Sequence, residues 1–178
     1  MRRVLILAIF SVFSTFLPGS TLRQLSLNDM IQQSTVIVRG KVQPATASFH
    51  SSIIFTHYQV QITETLKGKA SGTIDIGVPG GISKGLQQTY AGAPSLSPTQ
   101  DYVMFLWTSR SGLTQVIGLS QGLFQVITNS SNQPIVIRAA STERMLDASG
   151  QPVTDSDIQM SLSDLRTQIQ TVLNGGGK

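Results

Sequence analysis

Apolar and polar residues alternate along most of this chain, the spacing of strands with one wet face. In 35–42, Val36, Val38, Gly40 and Val42 share one side, and Ile37, Arg39 and Lys41 share the other. A glycine inside such a run predicts a bulge or sharp coiling. In 53–66, Ile54, Tyr58, Val60 and Ile62 face a core, while Phe55, His57, Gln59, Gln61 and Thr63 face mostly water. A turn at Lys67-Gly68-Lys69 leads into 73–78, with Ile74, Ile76 and Val78 inside. The run 101–108 drops the alternation: Tyr102, Val103, Met104, Phe105, Leu106 and Trp107 follow in succession, as in a strand buried on both faces. Tyr102, Phe105 and Trp107 are therefore expected in the core. Further strands are predicted at 113–117, 122–127 and 135–138, the last two joined around 129–132. The Ser, Ala and Thr-rich stretch after Val42 reads as a loop, and 141–157 reads as a polar, loosely packed tail.

Two segments switch to helical period. In 25–31, Ser26 is placed to cap and Asp29 to reach back to the free amide, with Leu25 and Met30 forming a staple across the turn. In 161–173, Leu162, Leu165, Ile169, Val172 and Leu173 share one side, and Ser161 with Asp164 repeats the capping pattern. Asn174-Gly175 is the expected left-handed stop. This helix is expected to pack on a barrel formed by the strands, with partner binding as the alternative.

Residues 79–98 fit neither period. Pro79, Gly80, Gly81, Gly85, Gly92, Pro94 and Pro98 punctuate them, and only 86–90 suits an extended segment. Ordered loops of this length in a compact domain are usually functional or mobile.

The first twenty residues follow another logic. Arg2 and Arg3 precede an apolar run opening at Val4, which Pro18-Gly19-Ser20 breaks with small residues. That is the layout of a secretory signal peptide, and the run is short for a membrane span. The chain thus divides into a leader, 1–20, and one domain, 21–178. Removal of the leader lowers the formal charge from +4, because 13 Lys+Arg against 9 Asp+Glu becomes 11 against 9. The remaining basic residues are scattered singly, which argues against nucleic acid as a partner and against a basic membrane-binding helix. Cysteine is absent, which removes disulfides, thiol catalysis, lipid attachment at a processed Cys and cysteine metal sites together. A disulfide-free exported protein fits a bacterial envelope, periplasmic or secreted, without a stable membrane span after leader removal.

Few residues carry candidate chemistry. Gly118-Leu119-Ser120-Gln121-Gly122 matches the G-x-S-x-G pattern of hydrolases, which needs a strand, a sharp turn and then a helix. Here a strand follows, and His50 and His57 both precede Ser120, whereas that fold places its histidine after the serine. A glycine-flanked turn is the expected reading, with a serine hydrolase using Ser120 as a rival. His50 and His57 lack the third ligand that zinc requires. Asp147, Asp155 and Asp157 lack a calcium-loop pattern and are expected as solvated acids with one helix-start charge. The stretch from Val78 to Gly85 lacks the G-K-[ST] ending of a phosphate loop. Asn129-Ser130-Ser131 is a glycosylation sequon that matters only in a glycosylating host. No catalytic residue, metal or cofactor is assigned.

The order of Ser34-Thr35-Val36-Ile37-Val38-Arg39-Gly40-Lys41-Val42, Tyr58-Gln59-Val60-Gln61-Ile62, Leu66-Lys67-Gly68, 76–81, Gly92-Ala93-Pro94 and Tyr102-Val103-Met104-Phe105-Leu106 resembles a group of uncharacterised exported bacterial proteins. More distantly, over about 25–127, it is similar to the N-terminal domain of tissue inhibitors of metalloproteinases and to netrin-like modules. The resemblance implies a small OB-like antiparallel β-barrel with a short N-terminal helix and a C-terminal amphipathic helix. It also implies, by analogy, an exported protease as partner. Those inhibitors chelate zinc through an N-terminal cysteine, and a chain without cysteine cannot. The expectation is a mainly β, non-enzymatic exported binding module. Its candidate surface is Pro79, Gly80, Gly81, Tyr90, Gly92 and Pro94, with Tyr90 as anchor. The same loop also fits a structural crossover, and the rival to a binding module is a structural envelope protein assembling through strand edges.

Overall fold

The computed structural model describes residues 21–175, and the predicted leader lies outside them. The chain enters through β1 (Thr21–Arg23) and α1 (Leu27–Gln33). Two long strands follow, β2 (Val36–His50) and β3 (Ile53–Lys67), then β4 (Thr73–Pro79) and a small hairpin of β5 (Gly81–Ser83) and β6 (Leu86–Gln88). After a loop come β7 (Asp101–Thr108), β8 (Thr114–Val116), β9 (Leu123–Thr128) and β10 (Pro134–Arg138). Short strands β11 (Arg144–Leu146), β12 (Pro152–Val153) and β13 (Ile158–Ser161) lead into α2 (Leu162–Gly175). The protein is mainly β, with antiparallel pairing throughout the main sheet.

That sheet runs β13-β10-β9-β7-β2-β3-β4, with β8 on β7. Its path is open, because among the described residues no pairing joins β13 to β4. The cause lies at Phe105. One edge of β7 pairs with β2, but its other edge is shared end to end: Tyr102 to Met104 pair with β9, and Leu106 to Thr108 pair with β8. Between them Phe105 donates its N–H to Gly122 O and accepts from Ile117 N–H, each at 2.9 Å. The sheet forks there. One branch curls through β3 and β4 until β8 lies against β4, Leu113 filling the space beside Gly77. The other branch carries β9, β10 and β13 beneath the helices.

The fork gives β7 two cores. Val38, Val42, Val60, Ile76, Val78, Leu96, Tyr102, Met104, Leu106 and Val116 fill the curled branch. Ile37, Val103, Phe105, Phe124 and Val136 face the other way and pack on Met30 and Ile31 of α1 and Leu162, Leu165 and Ile169 of α2. The double burial expected of β7 is present, but its residues divide by parity between two interiors. Trp107 departs from expectation: it stands 45% exposed, outside both cores.

The helix signals are realised in detail. Ser26 Oγ accepts from Asp29 N–H at 3.0 Å, and Asp29 Oδ2 accepts from Ser26 N–H at 3.1 Å, closing a capping box. Lys67 Nζ donates to the carbonyls of Ile31 and Gln32 at the other end of α1. Arg166 of α2 grips Glu64 of β3 with Nε and Nη2, at 2.8 and 2.7 Å. The helix α2 runs to Gly175, the last described residue, so Asn174 and Gly175 stand within its final turn. No helix among the described residues is long and apolar enough to cross a membrane.

Two stretches differ from expectation. The predicted loop after Val42 is strand, because β2 continues to His50 across a bulge between Val42 and Ala45. The bulge expected near Gly40 is also present, and a Cβ there would lie 2.6 Å from Gln61 O. The tail 141–157 is ordered: β11 pairs in parallel with β1, and Met145 is buried. Asp155 is no solvated acid but is buried against Arg138. Asp147 and Asp157 do keep local roles, accepting backbone amides of Ser149, Gln151 and Ala140.

Candidate functional site

The candidate surface begins where β4 ends. At Gly80 and Gly81, φ is +106° and +134°, a backbone region that favours glycine, and there the chain turns off β4 and crosses the β2–β3 ribbon. A Cβ at Gly81 would lie 2.5 Å from Thr56 Oγ1 and 3.2 Å from the Cβ of Ala47. The crossing segment is the β5–β6 hairpin. Lys84 and Gly85 form its two-residue turn with φ of 49° and 77°, the mirror-image geometry that suits a tight hairpin.

The hairpin is pinned at its base. Gln88 Oε1 accepts the Ile54 N–H at 2.6 Å, and its Nε2 donates to Ser52 O at 3.0 Å. Thr56 Oγ1 donates to Gly80 O at 2.8 Å. Beyond the pins, Ile82 and Leu86 stand 65% and 61% exposed. Ile82 pairs with Gln87 and Leu86 with Ser83, so the two aliphatic side chains project from opposite faces of the ribbon.

Behind the hairpin lies an open cleft of about 270 Å³, between β3–β4 and the loop after β6. Pro79, Gly80, Gly81, Tyr90 and Pro94 all line it, together with Thr56 and Tyr58. Five of the six expected residues thus converge. Gly92 does not join them. It packs against Leu22, Leu119 and Glu143 and borders a separate hollow with Ser120 and Ser141. The cleft is smaller and more open than sites that enclose a small molecule, which run to about 300–1,000 Å³. A chain segment laid across it suits that shape better.

The G-x-S-x-G segment is the turn at the fork. Gly118 and Leu119 have φ of 62° and 59°, and β9 follows rather than a helix. Its buried polar side chain is Gln121, not Ser120. Gln121 Oε1 accepts the Leu25 N–H at 2.8 Å, and its Nε2 donates to Arg23 O at 3.0 Å. This one amide ties the N-terminal segment to the fork. Nothing in the sequence marks it, because a lone glutamine among turn residues reads as surface. We expect Gln121→Ala to cost about 1–3 kcal/mol by orphaning those groups, and Ser120→Ala to stay within about 0.5 kcal/mol of wild type. Urea midpoints at constant slope measure both.

His57 Nδ1 lies 2.9 Å from Asp75 Oδ2, whose other oxygen accepts Gln59 Nε2 at 3.0 Å. His50 stacks edge-on against Phe55. No group of three metal-ligating side chains occurs among the described residues. No protein-family profile, no curated protein and no solved structure matches this chain.

Proposed function

We propose that the protein is an exported, non-enzymatic binding module, secreted or periplasmic, that holds a protein partner with the β5–β6 finger and the cleft behind it. The observation that carries this reading is the finger itself. Two large aliphatic side chains are exposed on its opposite faces, while its base is fixed by three side-chain hydrogen bonds to β3 and the β2–β3 turn. Exposed apolar groups on both faces suit insertion between two walls of a partner's groove. The fixed base means that little ordering is left to oppose binding. Tyr90, 38% exposed at the cleft, is the aromatic anchor.

The leader pattern at 1–20 supports export. The curling of β2, β3, β4, β7 and β8 around a common interior supports kinship with OB-type barrels, as in the inhibitor and netrin-like modules. An exported protease remains the partner suggested by that kinship. The finger would serve in place of the absent cysteine.

The test has two parts. Intact-mass measurement on the exported protein should give a chain starting at or near Thr21. Wild type and the Ile82→Asp, Leu86→Asp double variant should then be used to capture proteins from the producer's own secreted fraction. We expect wild type to retain one partner that the equally stable variant retains at least about tenfold less, as loss of interface anchors would give. Equal retention by both proteins rejects the finger as the binding element.

A further inference from the structure

The β2–β3 ribbon outruns the sheet that carries it. Pairing of β7 with β2 stops at Lys41 opposite Asp101, whereas β2 continues to His50. Among the described residues no strand pairs with the outer edge of 45–50. The direction of its backbone groups follows from its neighbours. Ile54 accepts from Gly80 N–H and donates to Gln88 Oε1, both away from β2. The Ile54–Phe49 pair is therefore the non-hydrogen-bonded kind, and alternation makes Thr56–Ala47 and Tyr58–Ala45 the same. Val42, before the bulge, obeys the same rule, bonding outward to Thr99 and Gln100. So Ala45, Ala47 and Phe49 all direct N–H and C=O away from β3, along an open edge.

We propose that this edge pairs with the same edge of a second copy, joining two sheets antiparallel about a two-fold axis at Ala47. The open edge is self-complementary. With Ala47 opposite its own copy, Ala45 falls opposite the copy's Phe49, and all three outward residues meet as hydrogen-bonded pairs. That register yields about six backbone hydrogen bonds. No Lys, Arg, Asp or Glu occurs from Gln43 to His50, so the edge lacks the charged side chains that guard most edges. The usual guards, a bulge and Pro44, sit before the open stretch and leave it unprotected. Next to the axis its side chains are small: Thr46 falls opposite the copy's Ser48, and Phe49 opposite the copy's Ala45. A peptide of another protein adding to this edge is the competing occupant, but it has no reason to match the two-fold register.

The register is tested with cysteines, which the chain otherwise lacks. Thr46→Cys in one copy and Ser48→Cys in the other would be directly opposed at about 4.5 Å between Cα atoms, within disulfide range. Each variant alone would place its cysteines two residues out of step. Mild oxidation of the mixture should give several-fold more cross-linked dimer than either variant alone. Ala47→Pro removes an outward N–H that the monomer does not use. It should weaken association by at least about tenfold in sedimentation equilibrium while leaving the melting temperature of the monomer within a few degrees. A Thr46→Lys, Ser48→Lys variant, opposing like charges across the axis, should do the same. A wild type that stays monomeric at all concentrations overturns the proposal, even if it binds an extended peptide there. So does cross-linking that is equal in the mixture and in either variant alone.

Discussion

Replacing Arg138 with Met should cost about 3–5 kcal/mol at neutral pH, the loss expected when one partner of a buried ion pair is removed. Arg138 ends β10 and Asp155 lies in the turn before β13, and their side chains are only 7% and 3% exposed. Arg138 Nη1 and Nη2 donate to the two oxygens of Asp155 at 2.7 and 2.9 Å, and Nη2 also donates to Ser156 O at 3.0 Å. Ser141 N–H supplies a further donor to Asp155 at 2.8 Å. Burial pushes the Asp155 carboxyl up, but the guanidinium and amide donors outweigh it and hold the group below its ordinary value of 3.8. A carboxyl depressed in the folded state stabilises above that ordinary value, and the contribution is lost as pH falls through the folded value.

In Arg138→Met, burial is no longer opposed by a cation, so the Asp155 carboxyl should rise above its ordinary value. Its contribution then reverses sign: it should decline as pH rises from about 4 toward neutrality. The deficit against wild type should therefore be largest at pH 7 and shrink toward pH 4. Guanidinium-chloride midpoints at both pH values measure this. Arg138→Met combined with Asp155→Leu should regain most of the loss, because no charge is then left buried alone. A double variant no more stable than the single one would show that packing, not charge pairing, holds this corner.

Asp155 also marks the limit of what could be read from the chain. Its neighbours, Thr154, Ser156 and Asp157, are polar, and polar neighbours predict solvent. Its burial depends on β10 and β13 being adjacent, a pairing that runs from Arg138 with Ile158 to Ile135 with Ser161 and that no local pattern encodes. The same holds for β2 beyond Val42. The Ser, Ala and Thr there are poor evidence for a strand, yet pairing with β3 extends β2 to His50. The parts that were legible rest on local chemistry. Ser26 and Asp29 close their box within one turn, β7 is apolar without interruption, and Pro79-Gly80-Gly81 must leave β4. Five residues of the candidate surface met because the chain reverses twice within fifteen positions. Gly92, although it lies between Tyr90 and Pro94, borders another hollow beside Leu22 and Leu119, which sequence spacing does not reveal.

The fork at β7 leads to the second large effect. Phe105→Ala should cost about 3–5 kcal/mol, the range for removing a fully buried phenylalanine. Phe105 is fully buried, its ring centroid is 5.4 Å from that of Phe124, and it sits among Ile37, Val103, α1 and α2. Its own N–H and C=O hold the two sides of the fork together. Those backbone bonds remain in the variant and hold the chain in place, so the cavity has little freedom to collapse. Trp107 lies two residues on, toward the same face, but is 45% exposed and outside the core that packs on the helices. Trp107→Ala should therefore cost well under half as much, despite removing the larger ring. The comparison separates aromatic size from position in the fold, and denaturant midpoints of the two variants measure it. If Trp107→Ala proved the more damaging, β7 would have to be covered at its far end, and the two-core arrangement about the fork would be wrong.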